Sequence, residues 1–389
     1  MPWKDFRDSI FASLVLTLSA FLLFLTAPAF GASMPKATQE ILKKLKLNPS
    51  ILHDVDKELQ VPQDWIEKAK KEGKVRVRGT PDSPEEEKLF FDSFKERYPF
   101  IDFQYSGSNQ EDRSVKTLMA LRAGRVLSDV ALSVGGFILE YKKANALDDL
   151  RIIPAWKNAT DAAKEDPDGM WLGKSVSYWC MSYNTKLVPK ADVPRKWEQL
   201  VTNPRWRGGN LALANRPQVW ALNVWDAHGE AWTRDFLTKL FNDVKPQLRK
   251  EGLNLMPQLA GAGEFQGALP SSPARTSQMV DEGAPVSLTC PEPLPASTAS
   301  VMILKGSPNL YASRIFVNWL LSKEGQIAQF AAKRFTPIHK ELHRKEFIPF
   351  ADQVIGRKVS YSNPMTEQEI LPKLYEHWNK LWIGRGKER

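Results

Sequence analysis

A strand, a polar turn and a helix follow one another three times between Lys74 and Gly136, and this repeat constrains the fold most. Val75-Arg76-Val77-Arg78 alternates apolar and polar residues, as a half-buried strand does. Gly79-Thr80-Pro81-Asp82 is turn chemistry. Ser83, Pro84 and Glu86 then have the spacing of a capping box with proline in the first helical turn. Leu89, Phe90 and Phe94 supply that helix with an apolar face, and Pro99 ends it. Ile101 to Tyr105 is the next strand, Ser106-Gly107-Ser108-Asn109 the next turn, and Val115, Leu118, Met119 and Arg122 lie along the next helix. Asp129 to Leu132 is the third strand, followed by Ser133-Val134-Gly135-Gly136. Such alternation predicts an α/β domain with a mainly parallel sheet flanked by helices, and sheets of this kind bind ligands beyond the carboxyl ends of their strands.

A second strand–helix unit comes late. Val301 to Leu304 reads as a buried strand; Ala312, Ile315, Phe316, Trp319 and Leu320 then form one apolar helical stripe. It must pack on a core laid down earlier. Between the two units, Leu211 to Ala214 and Val286 to Thr289 read as strands, and Val219 to Trp225 and Trp232 to Phe241 as helices. The middle of the chain is therefore expected to be a second domain inserted into the first. The expected boundaries are 1–31, 32–71 (an N-terminal extension), 72–183 and 300–345 (first lobe), 184–299 (inserted lobe) and 346–389 (a tail with a mobile end). Crossings are placed near Ser177 to Tyr183 and Ala296 to Val301.

Lys4 and Arg7 precede an apolar run from Ile10 to Phe30, with small residues at Ala27, Ala29 and Gly31. That layout predicts a signal peptide over 1–31 and export to the periplasm. The net charge of +9 suits an anionic ligand, but the basic residues are scattered and carry no nucleic-acid motif, so no nucleic-acid partner is expected. Cys180 and Cys290 are the two cysteines. They are read as separate buried thiols, with a bridge as the alternative if the two crossings bring them together. His339 and His343 are four apart but lack the glutamate of the zinc-protease motif, and no nucleophile elbow, Walker loop or dinucleotide fingerprint occurs. No enzyme activity, metal or cofactor is expected.

Several phrases resemble one family. Ala312 to Gln326, ending in Leu-Ser-Lys-Glu-Gly-Gln, is similar to the late helix of type 2 periplasmic solute-binding proteins, in the branch that includes the ferric-ion binders. Glu72 to Val75, Ala123-Gly124 through Asp129-Val130, and Tyr183 to Val188 match further phrases of that family in order. So does the series Pro194, Trp197, Leu200, Pro204, Trp206 and Gly208.

The resemblance implies two lobes joined by two hinge crossings, a ligand held between them, and an ABC transporter permease as partner to a monomeric receptor. It implies ligand contacts from turns at strand ends: Thr80, Ser106, Gly107, Ser108, Ser133 and Gly135 in the first lobe, Asn215 and Arg216 in the second. Tyr178 and Asn184 are added at the first crossing; Ser271, Ser272 and Arg275 are weaker candidates. Helix starts behind the Thr80 and Ser106 turns, with Arg216, favour an anionic solute. The adjacent tyrosines that hold ferric ion in this branch are missing, since no Tyr lies between Asn184 and Val301. Direct ferric binding is therefore not expected. A receptor for a ferric chelate or other metal complex, a two-lobed transferase or hydrolase, and an exported interaction protein are the alternatives.

Overall fold

The computed structural model describes residues 34–80 and 82–387. The expected signal peptide lies outside the described residues. Two sheets organise the chain from Met34 onward.

The first sheet contains β1 (Lys74–Gly79), β2 (Asp102–Gly107), β3 (Val130–Leu132), β4 (Leu172–Tyr178), β10 (Leu294–Ile303) and β11 (Val359–Ser362). Its order is β11-β10-β3-β1-β2, with β4 also paired to β10. β1 runs parallel to β2 and β3, whereas β10 runs antiparallel to β3 and β4. The second sheet contains β5 (Cys180–Asn184), β6 (Leu211–Ala214), β7 (Gln247–Arg249), β8 (Gly267–Ser271) and β9 (Val286–Thr289), in the order β7-β6-β8-β5-β9. Each sheet has its own core. The result is a mixed α/β, two-lobed molecule.

Local chemistry explains the first lobe. In β1 Val75, Val77 and Gly79 are buried and the residues between them are not, the alternation the pattern predicts. The helix Pro84–Arg97 starts with a complete capping box: Ser83 Oγ accepts from Glu86 N–H, and Glu86 Oε2 accepts from Ser83 N–H at 2.8 Å. Phe91 and Phe94 of this helix pack on Phe103 and on Phe316 of the late helix Leu310–Leu321, and Phe90 stacks on Phe91. The helix Lys323–Lys333 is buried even at its polar end. Glu324 there accepts from Arg97, Thr38 and Trp319, so the N-terminal residues 34–72 close over this face.

The second lobe is built on tryptophan. Trp197 and Trp220 stack at 5.2 Å, with Phe236 and Phe241 in the same core. The helix Pro364–Lys387 completes that core with Leu374 and Trp378, both fully buried, and with Leu381 and Trp382 packed against it. The expected helical and extended tail is a helix over these residues, with an apolar stripe that packs into the second-lobe core as far as Trp382.

Beyond the crossings at Tyr178–Cys180 and Cys290–Leu294, the chain passes a third time from β11 into this last helix. The first two are tied covalently. Cys180 opens β5 and Cys290 directly follows β9; the antiparallel pairing of these strands brings their Cα atoms to 4.5 Å, with a disulfide between them. The reading of two separate thiols is corrected here, because antiparallel pairing of those strands brings the two cysteines within bridging distance.

Candidate functional site

The carboxyl ends of β1 and β3 and the middle of β4 converge on one cavity of about 190 Å³. Thr80 follows β1, Ser133 follows β3, and Lys174 lies on β4. Lys333 and Phe335 close it from the end of the Lys323–Lys333 helix, and Asp82, Phe90, Tyr105 and Leu132 complete the wall.

Charges in this cavity are unequally matched. Asp82 is almost wholly buried, and Lys333 Nζ lies 2.8 Å from it and 3.1 Å from Glu86. One ammonium therefore serves two acids, and the Asp82–Lys333–Glu86 cluster keeps one negative charge. Lys174 has no such partner. Its Nζ donates to Gln329 Oε1 at 2.9 Å, and only 5% of the residue is exposed. Burial, with the Lys333 and Arg113 charges adding to it, pushes the Lys174 ammonium down to about 8, against the pull of Asp82.

Arg113, nine-tenths buried, sits in a π-helical turn, Asp112–Lys116. Its Nε donates to Ser133 O at 2.7 Å and its Nη1 to Ser108 O at 2.8 Å. Burial lowers its affinity for the proton as well. Among the described residues neither Lys174 nor Arg113 has a carboxylate within 4.0 Å. Two desolvated cations without acids of their own make a region that gains from an incoming anion.

A narrow slot of about 10 Å³ lies beside this cavity, between the lobes. Val176, Tyr178 and Thr336 line its first-lobe side; Ser272, Pro273 and Ala274 line the other. Phe335 borders both spaces. Arg334 reaches Asp281 of the second lobe at 3.8 Å.

The residues expected from sequence fall in different places. Thr80 and Ser133 line the cavity together, Ser133 in a left-handed conformation with φ +58°. Ser108 contributes its carbonyl to Arg113, whereas Ser106 and Gly107 are exposed at the end of β2. Gly135 has φ +63°, and a Cβ there would stand 2.8 Å from Gln110 Nε2. Tyr178 borders the slot. Asn184 lies away from both spaces: its amide donates to Ala260 O and Gly261 O, and its Oδ1 accepts from Lys186 N–H. That side chain is consumed in joining β5 to a second-lobe helix. Asn215 Oδ1 accepts from Trp378 Nε1 at 2.8 Å, and Arg216 is exposed, donating to Asn215 O. Ser271 shares a hydrogen bond with Ser182 inside the second lobe.

Sequence reading missed Lys174, Arg113, Lys333, Tyr105 and Phe335. For Lys174 a signal existed: it is a lone lysine within Trp171-Leu172-Gly173-Lys174-Ser175-Val176, a stretch otherwise apolar or small. Arg113 carried none, because its partners are carbonyls of turns. Among the described residues no three His, Cys, Asp or Glu side chains are placed to share a metal ion, and no helix is long and apolar enough to cross a membrane.

Comparison with known proteins places this geometry. Iron-bound HitA from Pseudomonas aeruginosa superposes with a TM-score of 0.64 at 17% identity, over 80% of this chain and 99% of that one. The substrate-binding protein of an ABC transporter from Agrobacterium tumefaciens gives 0.64 at 12%, over 79% and 95%. The FutA protein of Trichodesmium, in complex with iron and citrate, gives 0.64 at 14%, over 79% and 99%. At these identities the likeness is one of fold. No curated protein sequence matches the chain. A family model described as bacterial extracellular solute-binding protein matches residues 127–353, more than half of the sequence. The two lobes, the cavity at the strand ends and the matched residues agree: this chain belongs to the bacterial extracellular solute-binding proteins, a family of binding proteins rather than enzymes.

Proposed function

We propose that this protein is the exported, periplasmic receptor of an ABC-type importer, and that it holds one small organic anion between its lobes and hands it to the permease as a monomer. The observation that carries the reading is the pair Lys174 and Arg113: buried cations beside a cavity, with no carboxylate within 4.0 Å among the described residues. Of the two acids near this cavity, Asp82 and Glu86, both are already engaged by Lys333, whose single ammonium they share. Thr80 and Ser133 would add hydroxyl and backbone contacts from the turns, and Arg216 would approach from the second lobe.

The plainer role for Lys174 is structural, an anchor for Gln329. Equilibrium titration of the parent protein and of Lys174→Met with a bound anion separates the two. Loss of one charge-assisted contact should weaken binding by about 1.5–3 kcal/mol, roughly ten- to over a hundredfold. An unchanged affinity in a folded Lys174→Met would remove this lysine from the site. The iron-bound relatives suggest a metal complex as a second reading. A chelate would enter through its acidic groups; bare ferric ion lacks the tyrosines it would need, none being present between Asn184 and Val301.

A further inference from the structure

Resting on the receptor reading above, we propose that the solute is a compact ring acid: one planar six-membered ring bearing a single anionic group. The ring would lie among Phe90, Tyr105 and Phe335, and the acid would lie on Lys174.

Size is the first argument. Ligand pockets commonly enclose about 300–1,000 Å³, and a cavity of roughly 150 Å³ suffices for one benzene. The space here is about 190 Å³, room for one ring and a substituent but not for a large chelate or an oligosaccharide.

The walls give the second. Three of the lining side chains are aromatic, Phe90, Tyr105 and Phe335, and Leu132 is apolar. Tyr105 spends its hydroxyl proton on Thr80 O, at 2.6 Å, so the surface left to a ligand is ring. Aromatic faces favour a flat partner in offset or edge-on contact.

The polar groups give the third. Lys174 Nζ stands 5.8 Å from the Phe90 ring centroid, so cation and aromatic wall belong to one small space. Of the two cations without a carboxylate, Lys174 and Arg113, only Lys174 lines the cavity, so one ammonium matches one acid. A second negative charge on the solute would meet Phe90, Leu132 or the Asp82–Lys333–Glu86 cluster, whose two carboxylates outnumber its one ammonium, and burying it unpaired is unfavourable. Phe335 also faces the slot toward Ser272 and Ala274, so lobe closure bears on the residue that covers the ring.

Calorimetric titration of the mature protein with benzoate, cyclohexanecarboxylate, glutarate and inorganic phosphate tests this. Benzoate should bind at one per chain and at least about tenfold more tightly than the other three. Lys174→Met should weaken benzoate about tenfold or more. Phe335→Leu, a milder change whose fold is checked by circular dichroism, should narrow the gap between benzoate and cyclohexanecarboxylate while leaving glutarate unchanged. Tighter binding of cyclohexanecarboxylate, glutarate or phosphate would overturn the ring acid and leave the anion receptor standing. Benzoate bound equally by the parent and Lys174→Met would overturn the site. Binding of none of the four probes would overturn the ring acid, and tight binding of an uncharged or cationic solute instead would bring down the anion reading with it.

Discussion

Lys174 is held in a state that costs the folded protein something. Its folded-state proton affinity is depressed to about 8 from an ordinary value of 10.5, and the cause is burial. The unfolded chain therefore binds more protons between pH 8 and 10.5, and the stability of the ligand-free protein should rise with pH across that window. Binding should move the other way: an anion needs the ammonium, so affinity should fall as pH rises from 7 through 9. Denaturation midpoints and titrations at matched pH values check both slopes. Lys174→Met should flatten the two profiles together, whereas a merely structural lysine would leave the binding profile unmoved. Arg113 and Thr80 illustrate what sequence can and cannot disclose at this scale. Thr80 was legible because strand ends and turns are written in local residue types. Arg113 was not, because what defines it is burial against the carbonyls of Ser108 and Ser133, which are brought together by β2 and β3.

At the scale of elements, the first lobe was legible for the same local reason. The Ser83–Glu86 capping box, the alternation in β1 and the stripe of the Leu310–Leu321 helix are short-range patterns, and each is present in the structure. The last helix was harder to see. Ile370, Leu374 and Trp378 form its buried stripe, but Pro372 interrupts it and Lys and Glu residues dilute it. Only the incomplete tryptophan core of the second lobe explains why this segment is needed. The disulfide was hidden likewise, since it depends on the pairing of β5 with β9. It closes a loop with a sequence separation of 110, which encloses most of the second lobe. Chain-entropy arguments assign a cross-link over about 100 residues some 4–5 kcal/mol. Replacing both Cys180 and Cys290 by alanine should therefore lower unfolding stability by about that amount, measured in denaturant without reductant. A loss below about 1 kcal/mol would mean that the lobe does not depend on the bridge. Such a bond suits the oxidising compartment to which an exported receptor goes.

For the whole molecule, the arrangement is two cores of different composition joined where β4, β10 and β11 leave the first sheet. A cavity on one lobe and a slot between the lobes meet at Phe335. That layout allows a solute to settle first on the larger set of contacts and then be covered as the lobes approach, with Arg334 and Asp281 meeting across the gap. Closure would exclude water and strengthen the Lys174 contact, because the same charge pair is worth more in a drier site. The measurement that bears most directly on this account is calorimetric titration at pH 7 with an acid, an amide and an amine built on one small carbon skeleton. The acid should bind at one per chain, with the amide and the amine weaker by at least about tenfold. Equal or tighter binding of the amide or the amine would contradict the account.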